Sequence, residues 1–380
     1  MTQAQPELCI LALNSGSSSL KFGLYRADAS RTEMLLTGEA EAIGDKGSKF
    51  WARDSHGDAL PAEAASIASQ QDAIVRIERL LANANLRPDA IGHRIVHGGP
   101  KLRRHCPIDD EVLVQLEAAS AFAPLHTPSA LAMIRLARKH FSGLPQVACF
   151  DTTFHADLPD VARVLPIPRH WQSQGIQRYG FHGLSCESIL SQLAPDLPDR
   201  LIIAHLGNGA SVTAVKAGRS IDTSMGLTPS GGVLMGARSG DLDPGVLIYL
   251  MREKRLDAPQ LEDLIDHRSG LLGISGVSGD LRRLHKAAST STDAGLAIEM
   301  FCYSVRKQIA AMIAVLGGID LIVYTGGIGE NDAEVRAAIC RGLAFAGISA
   351  DDVAVLPSQE DEQIARHSWA LTSAIARRMG

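Results

Sequence analysis

Three apolar runs of the chain each end directly in a loop of small residues, and this pattern limits the folds open to it. The runs LCILAL, RLIIAHL and IDLIVYT are typical of buried strands. The loops that end them are N-S-G-S-S-S at 14–19, G-N-G-A-S at 207–211 and G-G-I-G-E-N at 326–331. Another strand pattern, LKFGLYR or VTAVKAG, follows each of the first two loops. We therefore predict two β-hairpins with polar turns.

The hairpins disfavour the usual nucleotide folds. A Walker loop needs G-x-x-x-x-G-K-[ST] opening a helix, a Rossmann loop needs G-x-G-x-x-G opening a helix, and neither motif occurs here. A strand–polar turn–strand unit near residue 10 that recurs near residue 205 indicates two halves of similar build. Each half would present turn amides and hydroxyls to a phosphate chain, with a nucleotide between the halves.

The order of strand and helix patterns favours an α/β protein of two domains. Further strand runs, IGHRIV and QVACF, alternate with helical patterns at 69–84, 128–140 and 292–316. A length of 380 residues suits two or three domains. The proline-rich stretch at 156–169 follows QVACF, so we expect the domain boundary near residue 150.

The net charge and the cysteine pattern exclude some binding functions and indicate the cellular compartment. The chain has 37 Lys and Arg against 42 Asp and Glu, a net charge of −5, so no global basic field would hold nucleic acid or an anionic membrane. Its six cysteines are spread singly without a C-x-x-C pair, which is typical of reduced thiols. The start, MTQAQPELCILALNSG, lacks the basic segment of a signal peptide. We expect a cytoplasmic protein.

Four charged or polar side chains stand at positions suited to catalysis. Arg94 lies in H-R-I-V-H-G-G on a strand whose neighbours are apolar, so it either points into a cleft or pairs with a buried carboxylate. Asp151 ends the QVACF strand, where it could equally cap a helix. His182 in R-Y-G-F-H-G is unobstructed, although most lone histidines are structural. Arg238 lies in the glycine-rich stretch 222–245, and an arginine in a long ordered loop can stabilise a phosphoryl-transfer transition state.

The first turn carries a second group of candidates. Asn14, Ser17, Ser19 and Lys21 combine small polar groups, which can approach a phosphate closely, with a point charge. A solvated hairpin turn is the alternative interpretation of the same residues.

Eight segments in this order resemble the acetate kinase family: LALNSGSSSLKF, GHRIVHGG, APLH, FDTTFH, RYGFHG, AHLGNGAS, MGARSGDLDPG and TGGIGEN. They extend over nearly the whole chain. The resemblance implies the two-domain actin-like, sugar-kinase and Hsp70 superfold, each domain a ribonuclease-H-like mixed sheet flanked by helices. It implies an N-terminal domain over 1–149, rejoined by 368–380, and a nucleotide-binding domain over 150–367.

The resemblance also implies roles for individual residues. Arg94 resembles the carboxylate-substrate ligand, Asp151 the catalytic acid, and His182 and Arg238 the transition-state stabilisers. Asn14 and Glu360 match the family's magnesium-associated residues. The positions that match nucleotide-contacting residues are Ser17, Ser19, Lys21, His205, Leu206, Gly207, Asn208, Gly209, Asp280, Leu281, Arg282, Gly327, Ile328, Gly329, Glu330 and Asn331.

The expected activity follows from the same resemblance. It implies Mg²⁺-dependent, reversible transfer of the ATP γ-phosphoryl group to acetate, giving acetyl phosphate and ADP, with Mn²⁺ as a possible substitute and a homodimer as the assembly. Because acetate is already ionised at pH 7, we expect Asp151 to orient Arg238 or a metal-bound water rather than to remove a proton.

Substrate preference is left open by the sequence. The resemblance places four residues around the acetate methyl group: Val96, Leu125, Phe181 and Pro229. Thr127, Leu184, Cys186 and the stretch 229–232 depart from the family pattern. A propionate or butyrate kinase is therefore an alternative, and a sugar kinase or an actin-like ATPase scaffold without an acceptor is a more distant one.

Overall fold

The computed structural model describes residues 6–16, 18–61, 66–124 and 126–379, with backbone alone at 350, 378 and 379. It falls into two compact units. The first unit comprises Met1–Thr153 and Gln359–Gly380, and the second comprises Phe154–Ser358. Two predicted site residues, Ser17 and Leu125, lie outside the described residues.

Within the described residues, the first unit contains a mixed sheet of seven strands in the order β4-β3-β2-β1-β5-β7-β6. The strands are β1 (Leu8–Ser15), β2 (Leu20–Ala27), β3 (Thr32–Glu41), β4 (Lys49–Asp54), β5 (Ala90–Ile95), β6 (Cys106–Pro107) and β7 (Gln146–Phe150). Strands β1, β5 and β7 run parallel to one another, and the other neighbouring pairs are antiparallel. The antiparallel pairing of β1 with β2 confirms the first predicted hairpin.

Helices cover both faces of this sheet. They are α1 (Gln70–Asn83), α2 (Asp110–Ala118), α3 (Thr127–His140) and the C-terminal helix (Glu360–Met379). Ser69 caps α1 by accepting a hydrogen bond from the Asp72 N–H. Successive strand residues face opposite sides, so Ile91 joins the core beneath α1 while its neighbour Gly92 faces the C-terminal helix.

The second unit repeats the arrangement of the first. Among the residues described there, five strands form a sheet in the order β10-β9-β8-β11-β12. The strands are β8 (Arg200–Leu206), β9 (Ala210–Lys216), β10 (Arg219–Thr223), β11 (Leu321–Thr325) and β12 (Val353–Val355). Two antiparallel pairings followed by two parallel ones also describe the row β3-β2-β1-β5-β7 of the first unit. The predicted second hairpin and the two halves of similar build are confirmed.

One long helix supports the second sheet. The helices of this unit are α4 (Asp160–Arg163), α5 (His170–Ser173), α6 (Gly183–Leu193), α7 (Pro244–Glu253), α8 (Ala258–His267), α9 (Gly270–Ser275), α10 (Leu281–Ala287), α11 (Thr292–Leu316), α12 (Gly326–Asn331) and α13 (Ala333–Arg341). Helix α11 packs against β8 and β9. It starts at the Ser291 cap and ends at Gly317, which adopts a φ of 72° that glycine tolerates best.

The limits of the compact units differ from the predicted domain limits. The first change falls after Thr153 rather than after residue 149, and the return to the first unit falls at Gln359 rather than at 368. The later limit moves because the C-terminal helix begins at Glu360 and is continuous. It packs as one element on β1, β2, β5 and β7.

Two further observations concern disulfide bonds and membrane-spanning helices. In the described part of the chain, which includes all six cysteines, there is no disulfide. No helix of the described residues is both long enough and apolar enough to cross a membrane.

We expect Gly92→Ala to destabilise the protein, because the added Cβ would lie 2.3 Å from Ser368 Oγ and 2.4 Å from Ile364 Cγ2. Overpacking of this kind costs about 1–3 kcal/mol. Gly295→Ala is the matched control: its Cβ would meet nothing within 4 Å, and alanine in a helix should stabilise by about 0.5–1 kcal/mol. Urea unfolding of both variants measures the two changes, and equal signs would contradict this packing.

Candidate active site

An ion pair between Arg94 and Asp151 forms the centre of the site in the first unit. Arg94 lies on β5 and Asp151 directly follows the neighbouring parallel strand β7, so both emerge at one edge of the sheet. The Asp151 carboxylate oxygen Oδ2 accepts from Arg94 Nη2 at 2.6 Å and from Nε at 3.0 Å. Asp151 is 1% exposed. The pairing of Arg94 with a buried carboxylate is thus the alternative that occurs, and the guanidinium is fixed by it.

Three more side chains join this pair. Arg94 Nη1 donates to Asn14 Oδ1 at 3.2 Å. Asn14 Nδ2 in turn donates to Glu360 Oε2 at 3.2 Å and to Asp361 Oδ1 at 3.3 Å. Asn14 belongs to β1, whereas both carboxylates open the C-terminal helix. Sequence reasoning missed Asp361, although the acidic run E-D-E at 360–362 marked it.

The charged side chains of this cluster shift one another's pKa values. Although burial opposes it, the proximity of Asp151 and Glu360 raises the pKa of Arg94, which stays a cation. Burial and the neighbouring Glu360 raise the pKa of Asp361 to about 6. The cluster offers carboxylate and amide oxygens, which are the donors that Mg²⁺ and Mn²⁺ prefer. The donor set therefore fits the metal that the sequence implied.

The remaining candidates of the first unit lie around the same strands. Lys21 on β2 is exposed and stands directly opposite Asn14 in the hairpin register. The carbonyl of Ser19 accepts from the Gly16 N–H at 2.8 Å, which closes the turn. Val96 follows β5 and is 8% exposed.

In the second unit, His182 and Arg238 approach the same glycine. A Cβ placed on Gly209 would lie 3.3 Å from His182 Nε2 and 3.4 Å from Arg238 Nη1. Arg238 Nη1 also donates to the Pro229 carbonyl at 3.4 Å. The turn between β8 and β9 is therefore where an anion would meet both side chains.

Hydroxyl groups and ring stacking orient the histidines. His182 has a left-handed backbone at φ 58° at the start of α6, and its Nδ1 lies 2.9 Å from Ser211 Oγ. The His205 ring stacks on it with 4.1 Å between centroids, and His205 Nδ1 lies 2.8 Å from Ser185 Oγ. Ser185 and Ser211 were missed, because nothing in a lone serine near a histidine separates a positioning role from a solvated turn.

Backbone contacts bring the predicted nucleotide segments of the second unit together. Gly326 packs against the end of β8, since its Cβ would lie 2.8 Å from the Leu206 carbonyl. The Gly236 N–H donates to the Asn208 carbonyl at 3.3 Å, and Gly236 also packs on Gly279. The segment 205–209 therefore contacts the segment 326–331 directly, and through Gly236 it reaches the segment 279–282, which comprises Gly279 and the predicted residues 280–282.

Some predicted nucleotide residues have other contacts in this unit. The side chains of Leu206 and Leu281 are buried in the core, so they could touch a nucleotide only through their backbone. Glu330 Oε1 accepts from the N–H groups of Gly326 and Ser358, both at 2.9 Å. Asp280 caps α10 and pairs with the exposed Arg282.

The structure also gives the contacts or the exposure of further predicted site residues in this unit. Asn331 Nδ2 donates to the Gly327 carbonyl at 2.9 Å. The Gly207 N–H donates to the Gly209 carbonyl at 3.0 Å, and Gly329 is buried while Ile328 is half-buried. Phe181 is 1% exposed.

Comparison with known proteins settles the family. The model of the acetokinase family matches residues 9–376. The chain belongs to the acetokinase family. It is 40% identical over 395 residues to an acetate kinase of Rhodopseudomonas palustris, with 95% of this chain and 98% of that protein covered. It is also 40% identical over 355 residues to a propionate kinase of Salmonella typhimurium, covering 90% and 87%.

The solved structures agree with the family on the fold. A propionate kinase from Francisella tularensis superposes with a TM-score of 0.87 at 35% identity, covering 96% of this chain and 100% of that one. The two mixed sheets flanked by helices are thus the actin-like fold, as predicted. Members of the acetokinase family are phosphotransferases with a carboxyl group as acceptor, and they use ATP with a divalent cation.

We expect Asp151→Asn to lower the free energy of unfolding by about 3 kcal/mol, because it leaves the Arg94 cation without its buried counter-charge. Glu117→Gln makes the same chemical change in the pair with Arg135, where both side chains are about half exposed. There we expect a loss of under about 0.5 kcal/mol. Urea unfolding at pH 7 compares the two, and similar losses would show that the Arg94 pair is not structurally important.

His155 should make stability depend on pH. Its Nε2 donates to the Phe181 carbonyl at 3.0 Å, so Ser220 Oγ donates to Nδ1 at 2.8 Å and the ring is neutral. Burial lowers its pKa to about 4. As pH falls below about 6.5, the unfolded chain binds the proton first, and stability is lost progressively down to about pH 4.

The size of this effect is about 2 kcal/mol between pH 7 and pH 5. In His155→Gln, the difference in unfolding free energy between those two pH values should shrink by that amount. NMR titration of the His155 ring provides a direct check. A ring that titrates near pH 6.5 in the folded protein would contradict the prediction.

Proposed function

We propose that this protein is a Mg²⁺-dependent acetate kinase, which transfers the γ-phosphoryl group of ATP directly to acetate and gives acetyl phosphate and ADP reversibly. The observation that carries the proposal is the guanidinium of Arg94, fixed by Asp151 and Asn14 beside a cluster of oxygen donors. Relatives of the same length that are named acetate kinase support the choice of reaction.

Arg94 would bind the carboxylate of the acceptor. Its charge is permanent, and Asp151 restricts the guanidinium to one orientation, so the bound carboxylate would be held in line with the phosphoryl group. Acetate is already an anion at neutral pH, with an ordinary carboxyl pKa of about 4, and needs no general base. Asp151 therefore acts as a positioning residue for Arg94, and the expectation that it also orients Arg238 or a metal-bound water stays a prediction.

His182 and Arg238 would stabilise the charge that develops on the transferring phosphoryl group. With Ser211 donating to Nδ1, His182 Nε2 carries a proton that a phosphoryl oxygen can accept. Arg238 Nη1 points to the same place beside Gly209 and adds a positive charge. The absence of a side chain at Gly209 leaves that place open.

Asn14, Glu360 and Asp361 would hold the divalent cation. When bound, Mg²⁺ or Mn²⁺ neutralises part of the phosphate charge. Lys21, opposite Asn14, adds a further cation near these residues. The segments 205–209, 280–282 and 326–331, together with Ser17 and Ser19, would contact the nucleotide.

Val96, Leu125, Phe181 and Pro229 would surround the methyl group of acetate. A propionate kinase among the relatives keeps a longer acyl chain as the second candidate. We also propose the domain limits 1–149 and 150–367, a homodimer and a cytoplasmic location. These three proposals rest on the resemblance alone.

A hydroxamate assay for acyl phosphate tests the proposal. Purified protein with ATP and Mg²⁺ should form acyl phosphate with acetate, and less with propionate or butyrate. Arg238→Ala should lower turnover by about 100- to 1,000-fold. Arg135→Ala, at an exposed arginine of the other unit, should leave turnover unchanged.

Two results would contradict the proposal. ATP hydrolysis that is equal with and without acetate would indicate an ATPase without an acceptor. Near-native turnover in a folded Arg238→Ala variant would remove that residue from the active site.

A further inference from the structure

One contact in the second unit joins two segments that the proposed function assigns to the nucleotide. His285 on α10 donates from Nε2 to Asp332 Oδ2 at 2.8 Å. Asp332 directly follows the segment 326–331, and α10 begins within the segment 279–282. The contact thus links the helix that continues one nucleotide segment to the residue after another.

Asp332 is shared between this contact and the local backbone. Its N–H donates to the Ile328 carbonyl at 2.9 Å, which ends α12. Its Oδ1 accepts from the Val335 N–H at 3.0 Å, which caps α13. One carboxylate oxygen therefore fixes the helix junction, and the other is left to hold His285. These two backbone contacts hold Asp332 in place, and Asp332 in turn positions His285. Because His285 belongs to α10, the same hydrogen bond holds α10.

The three nucleotide segments form a closed arrangement. The segment 326–331 packs on the end of β8 through Gly326, and residues 208 and 279 both contact Gly236. These backbone contacts connect the segment 205–209 to each of the other two. The hydrogen bond from His285 to Asp332 connects those other two to each other.

We infer that His285 is a positioning residue for the nucleotide, which sets the distance between the segments 279–282 and 326–331 through Asp332. It does not touch the reacting atoms, so it acts on nucleotide affinity and not on phosphoryl transfer. The side chain is 29% exposed and Asp332 is 16% exposed, so the bond is shielded but not buried within the core. This inference rests on the proposed function, which assigns both segments to the nucleotide.

The test compares variants that remove or restore the hydrogen bond. His285→Ala should raise KM for ATP and Kd for ADP about three- to tenfold, while kcat and KM for acetate stay within about twofold. His285→Leu keeps the side-chain volume and should show the same rise, even if the alanine variant folds poorly. His285→Gln, whose amide can donate to Asp332, should stay within about twofold of the wild type.

Glu334→Ala is the matched control. The Glu334 carboxylate lies 3.6 Å from His285 Nδ1 but is 86% exposed, so its removal should change neither KM nor Kd. A role in stability alone would instead lower the melting temperature and kcat of the histidine variants, with KM for ATP unchanged.

Three outcomes overturn the inference. They are an unchanged KM and Kd in both removal variants, a loss that glutamine does not restore, and an equal loss in Glu334→Ala. In each of these cases the wild type still binds ADP and forms acyl phosphate. A wild type that binds no ADP overturns the proposed function as well, so calorimetric titration of the wild type separates the two failures.

Discussion

The buried ion pair of Arg94 and Asp151 is the interaction on which the first unit's site depends. Burying either charge alone would be costly, and the two reach each other because β5 and β7 are parallel neighbours that end at one edge. Asn14, on a third strand, then accepts from the guanidinium and donates to Glu360 on the C-terminal helix. The sheet order decides which side chains can meet, and the ion pair decides how they are oriented.

The second unit builds its site differently, from glycine-rich backbone rather than from a buried ion pair. Gly209 leaves room for His182 and Arg238, and Gly236 allows the loop that carries Arg238 to contact residues 208 and 279. Hydroxyl groups of Ser211 and Ser185 lie within hydrogen-bond distance of His182 and His205 and orient their rings.

Both units owe their similarity to the same arrangement of five strands. Two antiparallel strands followed by two parallel ones place a hairpin turn next to the carboxyl end of a parallel strand. In the first unit this puts Asn14 near Arg94, and in the second it puts Gly207 near Gly327. The repeated hairpin was visible in the sequence because strand periodicity and turn residues are local properties.

The sequence by itself determined the strands, the long helices, the two hairpins and the family, since each is written in a continuous segment. It singled out Arg94, Asp151, His182 and Arg238, but it could not determine which of them pair. Only the tertiary structure decided that Asp151 holds Arg94, that Asp361 accepts from Asn14, and that Asp332 accepts from His285. These contacts link residues far apart in the chain, and the charge and hydrogen-bond geometry that select them exist only after the sheets and helices have packed.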